Sequence, residues 1–168
     1  MPMSLENEIV ISFATASDLD DLHEIESLCF LEGNAASKEA FLYRLENFPS
    51  WFFKATLSGK IIGFINGCSS RQRFITDDLF KADMPYDEKA ENFLIFGLAV
   101  HPEFRNRSAA KKLMNTALEF ARARKKRRAA LTCEERLIPF YESFSFKNVG
   151  VSKSCIGGLK YFDMEIAL

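Results

Sequence analysis

The segment Gly97–Leu118, GLAVHPEFRNRSAAKKLMNTAL, joins an apolar β-type run to a helical pattern through a proline and a short polar bend. Asn92–Val100 reads as a buried strand. Pro102 follows it, and from Ser108 the apolar residues Ala110, Leu113, Ala117 and Ala121 recur at spacings of three and four, one face of a helix. The bend carries Arg105-Asn106-Arg107-Ser108-Ala109-Ala110 where that helix must begin. The first amides of a helix have no partner within it, and the positive end of the macrodipole lies there, so arginines at this point need another reason to be present. Small residues give an anion access to the bare amides, and the bend reads as a phosphate cradle, with an ordinary basic helix start as the plain alternative.

The rest of the chain alternates strand and helix. Ile9–Phe13 is a β-branched run, and Ser17-Asp18-Leu19-Asp20 reads as the cap of a first helix that continues to Cys29. Ser37 caps a second helix that ends before Pro49. Two β-rich runs flank Ser58-Gly59, the strongest hairpin signal in the sequence. Residues Ser70 to Glu91 mix charge, proline and aromatics without a period, which predicts an excursion loop with one helical turn. AALTCEE is a strand, LIPFYESFSF a short helix with Pro139 in its first turn, and the C-terminal segment a hairpin through Gly157-Gly158. The expected architecture is a single α/β domain over residues 1–168, with a mixed, mostly antiparallel sheet that splays at the Asn92–Val100 strand and helices on both faces.

Composition narrows the function classes. A net charge of -1 argues against nucleic acid or an anionic membrane as the main partner, and the basic run Ala121–Ala130 reads as the solvated, dipole-complementing end of the long helix. No run of about 18 apolar residues predicts a membrane span. Cys29, Cys68, Cys133 and Cys155 are far apart without metal-ligand spacing, so no metal is expected and free thiols are the favoured reading. With no signal-peptide pattern at the start, a cytoplasmic location is expected, as a monomer or homodimer.

These segments, in this order, resemble the GNAT superfamily of acyl-CoA-dependent N-acyltransferases, whose acetyl-CoA motif runs strand, Arg/Gln-x-x-Gly-x-Gly/Ala, helix. LAVHPEFR fits that motif closely, and downstream RAALTCEERLIPFYESFSFKNVG resembles the arylalkylamine (serotonin-type) branch. The resemblance implies a GNAT-like fold, acetyl-CoA as cosubstrate and a small primary amine as acceptor. Polyamine or protein-amine acetylation is the enzymatic alternative, and a noncatalytic acyl-CoA-binding module the alternative of another class. Ser108 stands where the family usually has Gly, and Leu94 and Phe96 stand where vertebrate members carry two histidines, so their water-relay route for deprotonating the amine is absent.

The resemblance assigns the pyrophosphate to Arg105, Asn106, Arg107, Ser108, Ala109 and Ala110, and the pantetheine arm to the backbone of Leu98, Ala99 and Val100, for which a plain buried strand is the alternative. Gly97 suits a bulge or close backbone approach there. Tyr141 aligns with the tyrosine used as general acid; the alternative is a core tyrosine. Phe30, Leu31 and Phe96 fall at points that line the acceptor site, with core packing the equal alternative for Phe96. For the base, the choices are Glu32, Glu26 and His101. Invertebrate relatives use a Glu close to this region, which favours Glu32, although Asn34 occupies the better-aligned position. His101, held extended by Pro102, is read as structural.

Overall fold

The computed structural model describes residues 8–30, 35–80, 86–154 and 160–168. Leu31, Glu32, Asn34, Cys155 and the Gly157-Gly158 turn lie outside the described residues. Seven strands form a sheet in the order β1-β2-β3-β4-β5-β7-β6, in which β4·β5 is parallel and β1·β2, β2·β3, β5·β7 and β6·β7 are antiparallel. This is the expected mixed, mostly antiparallel sheet. The chain divides into two compact units, Met1–Asn66 with Gly97–Ala117, and Gly67–Phe96 with Leu118–Leu168.

The first unit holds β1 (Val10–Phe13), β2 (Phe52–Leu57), the start of β3 (Lys60–Ser70), the end of β4 (Asn92–Val100), helices α1 (Leu19–Cys29) and α2 (Lys38–Asn47), and the start of α3 (Ala109–Ala123). Ser58 and Gly59 have φ of 50° and 76°, the paired positive values that a two-residue hairpin turn needs to match strand twist. Ser37 caps α2 as expected, its hydroxyl accepting from the Ala40 amide at 3.1 Å. The first helix begins differently. A one-turn 3-10 segment, Ala16–Asp18, precedes it, so the capping box moves upstream to Thr15 and Asp18, whose Oδ2 accepts from the Thr15 amide at 2.9 Å. Leu22 and Ile25 from α1 pack with Phe41, Leu45, Phe52, Phe64 and Ala99 in one core cluster. Phe41 sits edge-on to Phe52 at 5.5 Å and to Phe64 at 5.4 Å, the favoured aromatic arrangement.

The second unit holds the end of β3, the start of β4, β5 (Arg128–Cys133), β6 (Lys147–Val151), β7 (Phe162–Ala167), the end of α3 and α4 (Ile138–Glu142). The parallel register of β4 with β5 runs from Asn92↔Arg128 to Ile95↔Leu131. In the basic run Arg122, Arg124, Lys125 and Arg127 are exposed, as a solvated helix end predicts, whereas Lys126 departs from that expectation. Helix α3 stops at Ala123, Arg128 is already in β5, and Lys126 is 6% exposed. Its ammonium donates to Ser69 Oγ, Glu88 O and Ala90 O at 2.6, 2.8 and 2.6 Å, tying the excursion loop back to β3. A buried amine is tolerated because all three of its donors meet acceptors.

Close strand approach is set by glycine. A Cβ on Gly67 would lie 2.0 Å from Leu94 O, a backbone atom that cannot swing aside, whereas one on Gly97 would meet Asn66 Nδ2 at an ordinary 3.6 Å. Gly67→Ala should therefore lower the unfolding free energy by about 3 kcal/mol in urea denaturation, and Gly97→Ala by less than about 1 kcal/mol. Equal effects would show that the two glycines are placed alike.

Candidate active site

The end of β4 and the start of α3 form one continuous surface in the first unit. The Val100 carbonyl accepts from Cys29 Sγ of α1 and from Arg105 Nε, both at 3.3 Å, and Arg105 Nη2 lies 3.6 Å from the same sulfur. Arg105 thus turns back and holds the strand end. The next residue, His101, donates its amide to Ile62 O at 2.7 Å, and its Nδ1 accepts from the Glu103 amide at 3.1 Å, capping the 3-10 turn Pro102–Phe104. The structural role expected of His101 is the one it has. Arg107 lies over the Phe104 ring at 5.8 Å, with Lys60 over the same ring at 5.1 Å.

Arg105, Asn106, Arg107 and Ser108 are exposed, whereas Ala109 is buried against the core and Ala110 half-buried. Asn106 and Ser108 have φ of 64° and 68°. Alternating left-handed residues turn successive amides to one side, the arrangement of an anion nest. The ladder of α3 starts with Lys112 N to Ser108 O at 3.0 Å, which leaves the amides of Ala109, Ala110 and Lys111 outside it. Ala99 is buried and Leu98 half-buried on the strand leading in. A residue missed by sequence reasoning is Gly63 on β3: a Cβ there would lie 2.7 Å from Ala99 O, so the close approach assigned to Gly97 belongs to Gly63.

Phe30 is half-buried and packs against the first unit's core. Glu26, one turn before Cys29, is 6% exposed, with Oε1 accepting from the Ala36 amide at 3.4 Å and Oε2 buried without a hydrogen-bond partner. Burial pushes its carboxyl up to about 7, opposed by the Ala36 hydrogen bond and by the charge of Arg44. Arg44 of α2 is 2% exposed and donates from Nη1 to Asn66 Oδ1 at 3.0 Å. In sequence Arg44 looks like a surface residue of an amphipathic helix, and only its packing reveals it.

In the second unit Tyr141 is 8% exposed on α4, edge-on to Phe140 at 5.0 Å and to Phe146 at 6.2 Å. Burial, with the neighbouring Cys133, raises its phenol well above the ordinary range. Cys133 is 4% exposed, its Sγ lies 3.5 Å from Met164 Sδ, and burial pushes the thiol up to about 11, which disfavours the thiolate. Phe96 is half-buried on β4. Among the described residues no group of His, Cys, Asp and Glu could hold a metal ion, and no helix is long and apolar enough to cross a membrane.

The family model described as the acetyltransferase (GNAT) family matches residues 19–146, which contain the nest, Glu26 and Tyr141. The chain belongs to the GNAT acetyltransferase family. Serotonin N-acetyltransferase of Mesocricetus auratus is 30% identical over 111 residues, 66% of this chain and 52% of that protein, so the chain spans about half the length of this curated relative. The loading GNATL domain of CurA from Lyngbya majuscula superposes with a TM-score of 0.83 at 14% identity, covering 96% of this chain and 98% of that one. PaiA N-acetyltransferase from Thermoplasma acidophilum, in complex with coenzyme A, gives 0.69 at 18% identity, covering 96% and 99%. These likenesses carry the GNAT fold over nearly the whole chain.

The GNAT nest carries a measurable cost at Ser108. A side chain in the left-handed region costs roughly 1–2 kcal/mol, part of which glycine returns as unfolded-chain entropy. Ser108→Gly should raise the unfolding free energy by about 0.5–1 kcal/mol, and Ser108→Ala should give no such gain; equal effects would remove the strain argument. Glu26 makes a pH prediction. Its native pKa, about 7 against an ordinary 4.5, means that the folded chain binds this proton more tightly than the unfolded chain. Its contribution to stability is therefore fullest at low pH and is lost as pH rises from 4.5 through about 7. Across that interval Glu26→Gln should gain on the parent by on the order of 3 kcal/mol in unfolding free energy. A difference that does not change with pH would mean an unperturbed carboxyl.

Proposed function

We propose that this chain transfers the acetyl group of acetyl-CoA to a primary amine, and that the acceptor is a small arylalkylamine. The observation that carries the reading is the nest at Asn106 and Ser108 opening directly onto the first amides of α3, with only methyl groups at Ala109 and Ala110. Such a surface fits a pyrophosphate, which needs dense N–H donors and no bulky side chain between them. Acetyl-CoA, when bound, supplies the acetyl group as an activated thioester. Arg107 and the backbone from Asn106 to Ala110 would hold its phosphates, and the backbone of Leu98, Ala99 and Val100 its pantetheine arm, as an added strand is held. Arg105 contributes by fixing the strand end through Val100 O.

Tyr141 supplies the proton that a departing thiolate needs. Burial keeps its phenol protonated throughout the physiological range, which suits a donor, and its place on a short helix beginning Ile138-Pro139 leaves little backbone freedom. Phe30 and Phe96, both half-buried, support an aromatic ring in the acceptor, and Leu31 joins them by sequence. The partial likeness to serotonin N-acetyltransferase supports the same acceptor class.

Release of free CoA from acetyl-CoA, measured across tryptamine, phenethylamine, spermidine, a lysine peptide and an aminoglycoside, tests the reading. The arylalkylamines should turn over fastest. Faster turnover of spermidine or the peptide would move the acceptor class, and acetyl-CoA binding without amine-dependent release would make the chain a binding module. Tyr141→Phe keeps the ring and removes the acidic oxygen: single-turnover rates should fall by roughly 10²–10⁴ with acetyl-CoA affinity little changed. Wild-type rates in this variant would return Tyr141 to core packing.

A further inference from the structure

Glu26 lies at the C-terminal end of α1, one turn from the Cys29 thiol that donates to Val100 O, so the helix face carrying both residues meets the last residue of the strand assigned to acetyl-CoA. Its carboxylate is buried, one oxygen holds the Ala36 amide, and the other has no hydrogen-bond partner among the described residues. A buried carboxylate oxygen without a donor costs stability, and the fold retains it although an apolar side chain would fill the space at lower cost. Compensation comes from α2, where Arg44 places its positive charge near the carboxylate and reaches across to Asn66 Oδ1. The amide nitrogen of Asn66 in turn lies beside Gly97, where β4 carries no side chain. Glu26, Arg44 and Asn66 are thus a buried polar line leading from α1 to the bare stretch of β4.

We propose that Glu26 is the proton acceptor for the incoming amine, directly or through one water, and that Arg44 and Asn66 are the positioning residues that hold it there. The proposal rests on the acetyl-transfer reading above and assigns the base that reading lacks. In the step, an ammonium N–H bond breaks and a Glu26 O–H bond forms, the electron pair stays on nitrogen as the nucleophilic lone pair, and the proton leaves later to solvent. An alkylammonium with a pKa of about 10.4 is uncharged in only about one molecule in 2,500 at pH 7, so such a group is needed. A carboxyl that burial raises to about 7 is matched to the task. Among the described residues, the titratable and charged groups that act on it are Arg44 from α2 and Cys29 on α1 itself, with Arg105 reaching Cys29 from the nest.

The test compares the parent chain, E26Q and E32Q with two acceptors, tryptamine and trifluoroethylamine, the second being largely uncharged at neutral pH. For the parent, kcat/KM with tryptamine should rise with pH to a plateau above about 7, whereas a rise that continues toward the pKa of the amine would overturn the proposal. This measurement does not depend on any variant folding. E26Q should lose roughly 10²–10⁴ in kcat/KM with tryptamine, together with the acid limb, and less than about tenfold with trifluoroethylamine; a merely structural role would lower both alike and sink the idea. E32Q should keep the limb, and its loss there would move the base to Glu32. The stability difference between parent and E26Q over the same pH range reads the carboxyl without turnover. A parent chain inactive on every amine would overturn the acetyl-transfer reading and the base with it, whereas an active parent with an unimpaired E26Q would overturn the base alone.

Discussion

One backbone carbonyl, that of Val100, fixes the end of β4 on which the first unit's surface depends. It receives the Cys29 thiol and the Arg105 guanidinium, while the adjacent His101 amide is held by Ile62 O and Ala99 O is approached closely at Gly63. None of these contacts is large, since a net hydrogen bond contributes about 1 kcal/mol and a thiol donor less. Their value is geometric. They determine where the strand stops, hence where the turn at Pro102 begins and where the amides of the α3 start point. A phosphate cradle of the kind proposed, made of backbone groups, has no side-chain freedom with which to correct an error, so its anchoring must come from residues outside it.

The buried polar groups of the two units differ in a way that separates structure from chemistry. Lys126 has three donors and three acceptors, and its burial is fully compensated, so it serves as a clasp for the excursion loop. Glu26 is equally buried but keeps one oxygen without a partner. A clasp gains from satisfying every group, whereas a proton acceptor must keep a lone pair available. Arg128 Nη1 and Nη2 and Asp163 Oδ1 are likewise buried without a hydrogen-bond partner, so what sets Glu26 apart is its place on α1, one turn from the residue that holds the end of β4.

Features with a strong local cause were legible in sequence. The hairpin at Ser58-Gly59, the Ser37 cap, the α3 periodicity and the bare amides at the α3 start follow from turn sterics, capping and the unpartnered amides of a helix start, and all depend on near neighbours in the chain. What escaped depends on distant neighbours. Lys126 and Arg128 read as solvated because charge alone says nothing of what folds over it, and the Thr15 cap escaped because a 3-10 turn precedes α1. Gly63 and Gly67 escaped because a close approach is a property of the opposite strand. Whether Ser108 needs a positive φ was a question the residue type raised and only the backbone answers, at 68°. The order of Glu26 and Glu32 as candidate bases could not be settled by spacing, since both are close in sequence to the end of the first helical pattern; Glu26 is buried, and Glu32 lies outside the described residues.

Desolvation acts on two acids of this chain with opposite chemical consequences. Burial disfavours the charged form of either group, so it raises both the Tyr141 phenol and the Glu26 carboxyl. The phenol begins near 10 and moves further from neutrality, becoming a more secure store of a proton and a weaker spontaneous donor. It can release that proton only to a strongly basic atom, which is what the proposed role in acetyl transfer asks of it. The carboxyl begins near 4.5 and moves toward neutrality, becoming a stronger base than a solvated glutamate while remaining largely ionised in mildly alkaline solution. Amine acylation needs these opposite behaviours, a proton withheld until sulfur departs and a proton taken before nitrogen attacks. One physical effect, burial, moves both groups in the directions that the proposed roles of Tyr141 and Glu26 require, because the two side chains start on different sides of pH 7.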